Sequence, residues 1–260
     1  YDITSSTNQI QLGVAVTTPT AGASTFSFTL TVPKDGYRIL KVVADVPSTS
    51  NSTPGLLHFD VPGAGTIADD INSTGVFSQA DISESLLATG RSMTLTAPTL
   101  TVSLGTTPIA QSIVTSAQNV HVATFNLTAG QYEAVKVTSI RVRVDDVSSL
   151  DSTSAATANF SSLKLVSSDG TKQYGQTLNL TDGTPDYVLF NSIDNLTIPA
   201  GQTVQIYLKA NVDGTGTTWY FGITVTTDVT AVGATSGNTA TVAGTGVSTA
   251  QTITDSDTIA

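Results

Sequence analysis

Hydrophobic and polar residues alternate along most of this chain, which is the pattern of β-strands that bury one face. Near the start, Ile10, Leu12, Val14 and Val16 alternate with small or polar residues over positions 9–17. The same period of two recurs along the rest of the sequence. The predicted strands are residues 9–17, 25–32, 37–46, 56–61, 92–96, 100–104, 120–127, 134–144, 162–166, 177–180, 186–190, 196–198, 204–212, 219–226, 239–243 and 249–254.

Turn signals separate these strands and lead to an all-β prediction. The stretches PKDG, SSDG, TDGTPD, IPAG and VDGTG are rich in residues that favour tight turns. One helical alternative exists at residues 79–88, where Ser78 is placed to cap a helix with Ile82 and Leu86 on one face; the same stretch also aligns with a strand. Many short, closely spaced strands are typical of an immunoglobulin-like β-sandwich.

Two internal matches indicate two related modules. The sequence FTLTVPKDGYRILKVVADV at 28–46 resembles DNLTIPAGQTVQIYLKANV at 194–212, and residues 74–94 align with residues 233–254. We therefore predict two tandem immunoglobulin-like β-sandwich modules, the first abbreviated. The predicted divisions are an N-terminal candidate donor strand at 1–18, an abbreviated module at 19–97, and a full module with a C-terminal tail at 98–260.

The modules differ in how much chain precedes their matching turns. About a hundred residues of the second module lie ahead of its LTIP turn, but only about thirty residues lie ahead of LTVP in the first. A sandwich that lacks strands exposes apolar side chains and unpaired backbone groups, which proteins rarely leave uncovered. Two explanations stay open: the first module is a smaller complete sandwich, or a partner chain supplies the missing strand.

Composition and charge point to an exported protein. Lys and Arg number 10 against 20 Asp and Glu, for a formal net charge of −10, and charged residues make up only 12% of the chain. Ser and Thr supply roughly 28%, so the polar surface consists mainly of hydroxyl groups rather than the charges usual in soluble domains. The acidic balance argues against a nucleic-acid partner, because no basic patch is available to bind phosphates.

Cysteine usage and hydropathy narrow the class further. The absence of cysteine excludes a disulfide framework, a thiol nucleophile and a thiolate metal site. No apolar run approaches the ~18 residues of a membrane helix, and no basic and apolar leader precedes the first strand. We expect a mature extracellular or cell-surface protein without a membrane span.

Few residues are suited to catalysis, and we expect no enzymatic activity. His58 and His121 each lie within an alternating strand, where a single histidine is usually a packing or surface residue, and no catalytic or phosphate-binding motif is present. Weak calcium candidates are Asp145, Asp146 and Asp151 in RVDDVSSLD, since loop carboxylates ligate Ca²⁺. The alternative is a set of solvated turns, with no metal and no cofactor.

The single tryptophan keeps a sugar-binding alternative open. Trp219 lies in the predicted strand TTWYFGITV, next to Tyr220 and Phe221. An anchor in the core or at a strand edge is the simpler interpretation, and an exposed platform for a sugar ring is the alternative.

Six N-x-[ST] sequons predict covalent glycans on the strand surfaces. Around Asn126, the flanking Phe125 and Leu127 are apolar, so the period of two turns the asparagine outward. The alternative is that a threonine-rich surface produces sequons by chance. The glycosylation candidates are Asn51, Asn72, Asn126, Asn159, Asn179 and Asn195.

The chain resembles immunoglobulin-like modules from long surface proteins of small-genome bacteria and some archaea. The stretches that carry the resemblance are VATFNLTAGQYEAVKVTSIRVRV, ANFSSLKLVSSDGTKQYGQ, LTIPAGQTVQIYLKANV and DVTAVGATSGNTATVAG. They cover roughly residues 98–254, with a partial echo in 28–94. The resemblance implies a structural module at the cell surface. For a short chain of two modules, the plan is similar to subunits of pilus-like extracellular filaments that assemble by donor-strand exchange.

A filament subunit is the function that these observations favour. Ile10, Leu12, Val14 and Val16 form a donor face, and each aliphatic contributes ~1.5–3 kcal/mol when buried. Addition of such a strand to the next copy builds an open-ended helical homopolymer. The C-terminal STAQTITDSDTIA is a second candidate donor with poorer apolar spacing. The alternatives are a monomeric adhesin or surface-layer stalk, with residues 9–17 paired in their own chain, and a carbohydrate-binding module.

Overall fold

A computed structural model describes residues 1–5, 9–17, 24–45, 55–57, 59–61, 73–82, 88–152, 155–215 and 217–254 of the chain. Most of the strands lie after residue 93. In chain order they are β1 (Gly55–Leu57), β2 (Asp60–Val61), β3 (Ala88–Thr89), β4 (Met93–Leu95), β5 (Thr99–Leu104), β6 (Gln111–Val114), β7 (Val120–Ala129), β8 (Val135–Asp145), β9 (Phe160–Ser167), β10 (Gln173–Leu178), β11 (Asp186–Phe190), β12 (Thr197–Ile198), β13 (Thr203–Val212), β14 (Thr218–Ile223), β15 (Val229–Gly233), β16 (Thr241–Ala243), β17 (Gly246–Val247) and β18 (Gln251–Thr254).

The all-β prediction is confirmed. Within the described ranges the only helical segments are 3-10 turns at Ala156–Ala158 and Thr226–Asp228. The described ends of the candidate helix at 79–88 are not helical, since Asp81 forms a bridge with Thr74 and Ala88 begins β3. Its middle, residues 83–87, lies outside the described residues.

Contacts between residues divide the chain into two units. The N-terminal unit comprises Tyr1–Pro47 and Leu56–Met93, and the C-terminal unit comprises Ser48–Gly55 and Thr94–Ala260. The finer division into 1–18, 19–97 and 98–260 stays a prediction.

Two mixed sheets build a sandwich in the C-terminal unit. One sheet has the order β10-β9-β13-β7-β5-β16, and the other follows β11-β8-β14-β18-β6, with β12 and β15 also paired to β8 and β17 to β14. The pairs β16–β5 and β18–β6 are parallel, and the long central pairs are antiparallel. Ladders of this length satisfy the backbone hydrogen bonds of the strands inside the protein.

Inward-facing residues of these strands form one apolar core. Alternation sets which residues enter it: in β13, Ile206, Leu208 and Ala210 are fully buried, while the residues between them are partly exposed. Phe160 packs edge-on against Trp219 and Phe221, with ring centroids 5.6 and 5.1 Å apart. Every buried hydrophobic residue of the described chain lies at position 100 or later.

Three strand predictions are wrong: among the described residues, no strand forms at 9–17, 25–32 or 37–46. Their described residues make only the isolated bridges Asp2–Ile10 and Asp2–Leu40. At Gly13 the backbone enters the left-handed region, with φ +67°, which interrupts an extended strand. Elsewhere the alternation is present, but a strand also needs neighbours along its edges, and among the described residues these segments have only short pairings with residues 1–4.

The turn at the centre of the internal repeat has the same conformation in both copies. Gly36 N–H donates to Pro33 O at 3.0 Å, and Gln202 N–H donates to Pro199 O at the same distance. The third residue of each turn has a positive φ, +56° at Asp35 and +68° at the aligned glycine. The repeat therefore encodes the same local structure twice.

Strand boundaries in the C-terminal unit follow the sequence pattern closely, with three omissions, one of which is the two-residue strand β17. The predicted strand 186–190 coincides with β11, and 204–212 differs from β13 by one residue. The prediction 177–180 is wrong in position, because β10 begins at Gln173 and its register shifts before Leu178. Strands β6 and β15 were not expected.

Candidate assembly surface

Residues 1–4 bond to one edge of the extended segment at 39–41. Tyr1 and Lys41 exchange two backbone hydrogen bonds, each 2.9 Å long, and Ile3 N–H donates to Ile39 O at 2.9 Å. The pattern is that of a short antiparallel ladder. It is the principal backbone pairing that the structure describes within residues 1–45.

Asp2 fixes this ladder through its carboxylate. It accepts hydrogen bonds from the Thr4 hydroxyl at 2.6 Å and from Thr4 N–H at 2.9 Å, and Arg38 lies 3.5 Å away. The bonds from Thr4, helped by the guanidinium, hold the pKa of Asp2 below its usual value. This ladder is not predicted from the sequence, because YDIT contains only an aspartate two residues before a threonine, which is the pattern of an Asx turn.

The four predicted donor residues lie on a largely exposed segment. Ile10 is 54% exposed and Val14 is 84% exposed, while Leu12 and Val16 are half-buried. Among the described residues, only Ile10 of these four has a bridge partner in its own chain.

Gly13 holds this segment in a bent form. A Cβ atom at this position would lie 2.6 Å from Ser27 O, and φ is +67°, so both space and backbone conformation require glycine here. The bend separates Ile10 from Val14 and prevents one continuous strand.

Residues 24–45 expose apolar side chains on both faces of the extended backbone. Alternate positions of a strand point to opposite sides, and both parities are represented here. A segment that is apolar on both faces is typical of a strand covered on both faces. The exposed side chains are Phe26, Phe28, Val32, Tyr37, Ile39, Leu40, Val42 and Val43.

The aligned segment of the repeat buries the corresponding residues. Leu40 and Val42 are 51% and 52% exposed, whereas their counterparts Ile206 and Leu208 are completely buried. The difference lies in the neighbours: β13 pairs with β7 along one edge and with β9 along the other. In residues 37–45, by contrast, only one edge is bonded among the described residues, where positions 39–41 pair with residues 1–4.

A second open edge lies in the C-terminal unit. Strand β16 pairs with β5, and the structure describes no strand on its other side. A shallow depression of about 420 Å³ lies beside it, lined by uncharged residues that include Val229, Ala231, Thr241 and Val242. This edge is the competing place for an added strand.

The calcium candidates have other partners. Asp145 is fully buried and accepts hydrogen bonds from Asp146 N–H and from the N–H and hydroxyl of Ser152, all at 2.8 Å. Burial raises the pKa of Asp145, but these hydrogen bonds outweigh it and leave the pKa below its usual value. Asp151 is exposed and accepts a bond from Ser149. The described chain contains no cluster of three His, Asp or Glu side chains suited to a metal ion.

The histidine described in the C-terminal unit is half-buried, and the tryptophan is buried. The His121 ring stacks on Tyr207 with centroids 4.2 Å apart, and its Nε2 lies 2.9 Å from the Thr124 hydroxyl. Burial lowers the pKa of His121. Trp219 is buried and donates from Nε1 to Thr217 at 3.1 Å, so its ring is not available as a sugar platform. His58 lies outside the described residues.

The sequon asparagines differ in accessibility. Asn179 and Asn195 are exposed, and Asn126 and Asn159 are half-buried with their Nδ2 groups donating to backbone carbonyls at 3.2 and 2.7 Å. The Oδ1 of Asn179 accepts from Ser162 N–H at 3.0 Å, and the Nδ2 of Asn195 donates to Gln173 O at 3.1 Å. Two more, Asn51 and Asn72, lie outside the described residues.

Comparison with models of known protein families finds no match, and comparison with curated proteins finds none either. In the described ranges, no helix combines the length and the hydrophobicity needed to cross a membrane.

Proposed function

We propose that this chain is a structural subunit of an extracellular, pilus-like filament, and that residues 9–17 of one copy add as a strand to the next copy. Strand addition supplies backbone hydrogen bonds along an open edge and buries alternate side chains. Because donor and acceptor are different surfaces, the contact does not close on itself and gives an open-ended polymer.

One observation carries the proposal: residues 28–45 repeat the pattern of a core strand but leave its apolar side chains in solvent. Leu40 and Val42 are about half exposed, while the equivalent Ile206 and Leu208 are fully buried. Soluble monomers rarely expose a contiguous apolar surface of this kind unless it binds a partner. We propose a second copy of the chain as that partner.

The placement of the two candidate donors supports residues 9–17. Ile10 and Val14 are exposed, whereas Ile253, at the centre of the C-terminal candidate, is buried in β18. That strand already has β14 and β6 as neighbours, so its release would open the sandwich. Pairing of residues 9–17 within the chain, which a monomeric stalk requires, is limited in the described residues to Ile10.

Negative-stain electron microscopy of three chains tests the proposal. The wild type is compared with an Ile10→Ser/Val14→Ser variant and with a Val147→Ser/Val225→Ser control, which changes two exposed valines of the C-terminal unit. All four side chains are at least two-fifths exposed, so neither pair of substitutions disturbs a core. We expect filaments from the wild type and the control, and none from the donor variant.

Other outcomes contradict specific parts of the proposal. Monomers from all three chains at high concentration would reject assembly and favour a stalk or binding module. Filaments from all three chains would keep the polymer but remove residues 9–17 as the donor.

A further inference from the structure

We propose that the acceptor on the next copy is the open edge of residues 37–45, and that residues 9–17 of a second copy occupy it. This inference rests on the proposed function and names the two surfaces that meet. It places the intermolecular strand beside the segment that repeats β13.

The direction of the backbone groups defines the open edge. Ile39 and Lys41 direct their carbonyl or N–H groups to residues 1–4. In an antiparallel ladder, the residue between two such positions points its N–H and C=O the opposite way. Leu40 therefore presents both groups to the other edge, where no described residue bonds to them.

The repeat indicates what this edge lacks. In the C-terminal unit, the equivalent Ile206 lies in a strand bonded on both edges, by β7 and by β9. Residues 1–4 provide a neighbour on one edge of 37–45, so a single added strand completes the arrangement. Residues 9–17 and 37–45 have the same length, and an extended donor spans the whole edge.

Charge is compatible with a second copy of this chain as the occupant. Around the acceptor, Lys34, Arg38 and Lys41 are matched in number by Asp2, Asp35 and Asp45, in a chain whose net charge is −10. The acceptor does not share the acidic excess of the chain and so does not repel another copy. The donor stretch itself, QIQLGVAVT, has no charged residue to desolvate when it is buried.

The donor face matches one side of the acceptor. Leu40 and Val42 lie on the same face of their segment, and once Gly13 becomes extended, Leu12 and Val14 form a continuous aliphatic row. Glycine adopts the extended conformation as readily as its present one. Aliphatic pairs across neighbouring strands are the unit that stabilises such a ladder.

Cysteine trapping tests the contact directly, because the wild-type chain contains no cysteine. In the test, a Val14→Cys chain is mixed with a Leu40→Cys or Val42→Cys chain, and the mixture is assembled and oxidised. In a separate control for the β16 edge, the Val14→Cys chain is mixed with a Val242→Cys chain and treated in the same way. All three N-terminal positions are more than half exposed, so these substitutions leave the fold intact. We expect a disulfide-linked heterodimer with Cys at 40 or 42, only under assembling conditions, and none with Cys at 242.

The outcomes separate this inference from the proposed function. If filaments form but residue 14 is linked to residue 242, or to none of these positions, then residues 37–45 are not the acceptor, although the proposed polymer is retained. No filaments from the wild type and no cross-links would overturn both.

A backbone substitution provides a second test. Leu40→Pro removes the N–H that faces the open edge, and Leu40→Ala removes the same side chain but keeps the N–H. We expect the proline variant to need about tenfold more protein for assembly than the alanine variant, the equivalent of one lost hydrogen bond. Equal requirements for the two variants would contradict the use of this edge.

Discussion

Residues 28–45 and residues 194–212 carry the same sequence pattern and share the same turn, yet only the second segment is part of a core. Gly36 and Gln202 close their turns with hydrogen bonds of equal length, 3.0 Å. Beyond the turn the segments diverge, since β13 is bonded along both edges and residues 37–45 are bonded along one. Local structure is thus set by the sequence of each segment, but burial depends on neighbouring strands.

The comparison also explains the composition of the N-terminal segment. The outward-facing positions of β13 include Gln205 and Lys209, whereas the aligned Ile39 and Val43 are apolar. A strand that stays on the surface of a monomer normally has one polar face. The N-terminal segment has the composition of a strand that is covered on both sides, which is the account proposed for the assembled protein.

The largest expected difference comes from equivalent truncations in the two segments. Leu208→Ala removes a fully buried side chain from the centre of the sandwich and should lower the free energy of unfolding by about 3–5 kcal/mol. Val42→Ala, at the aligned position, should change it by less than about 0.5 kcal/mol in the monomer. Urea denaturation below the assembly concentration measures both values. A large cost for Val42→Ala would show that residues 37–45 are already buried in the monomer.

Loss of an ion pair should also destabilise the C-terminal unit more than the N-terminal unit. Arg143 donates two hydrogen bonds of 3.0 Å to the buried carboxylate of Asp228. Asp228→Asn should cost about 2–3 kcal/mol, less than a fully buried pair because Arg143 is partly exposed.

Asp2→Asn is the corresponding substitution in the N-terminal unit. Arg38 lies 3.5 Å from Asp2 and is more exposed than Arg143. Global stability measured by thermal unfolding should change little. If both substitutions destabilised the monomer equally, the N-terminal ladder would belong to the cooperative core.

The smallest effect concerns pH and a turn of the C-terminal unit. Burial raises the pKa of Glu133, but hydrogen bonds from Ser236 and Thr235 outweigh it and leave the pKa below its usual value. The folded state then gains stability above the ordinary carboxyl pKa and loses it as pH falls through the lowered value.

Glu133→Gln should therefore cost up to about 1 kcal/mol at pH 7, after allowance for solvent screening. The cost should vanish in acid, where the wild-type carboxylate is protonated. Urea denaturation of both chains at neutral and acidic pH measures it, and a cost independent of pH would contradict the role given to the carboxylate.

The C-terminal fold could be predicted well wherever alternation was strong and the strand was long. Residues such as Ile206 and Leu208 alternate with polar neighbours, and β11 was predicted at its observed bounds. Strand β6 was missed because Ile113 is its only buried residue and its partner β18 lies far along the chain. Strand β15 was missed because alanine and threonine give weak contrast between its faces.

The candidate surface could be predicted only in part. The aliphatic row from Ile10 to Val16 is visible in the sequence, but neither the left-handed conformation of Gly13 nor its closeness to Ser27 can be read from a glycine alone. The ladder between Tyr1 and Lys41 involves residues 1–4, which are too few to show a clear alternation of apolar and polar positions. The local periodicity of the sequence does not show that residues 37–45 have an open edge at Leu40, nor does it show which segment pairs with the opposite edge.

Hydrogen exchange at two protein concentrations tests the central claim most directly, since it reports protection amide by amide. In dilute monomer, the amides of β13 should exchange slowly and those of residues 37–45 quickly. At assembling concentration, residues 37–45 and 9–17 should become protected together, while β13 stays unchanged. Fast exchange of residues 37–45 at both concentrations, or protection already complete in the monomer, would contradict the claim that a second copy completes the N-terminal unit.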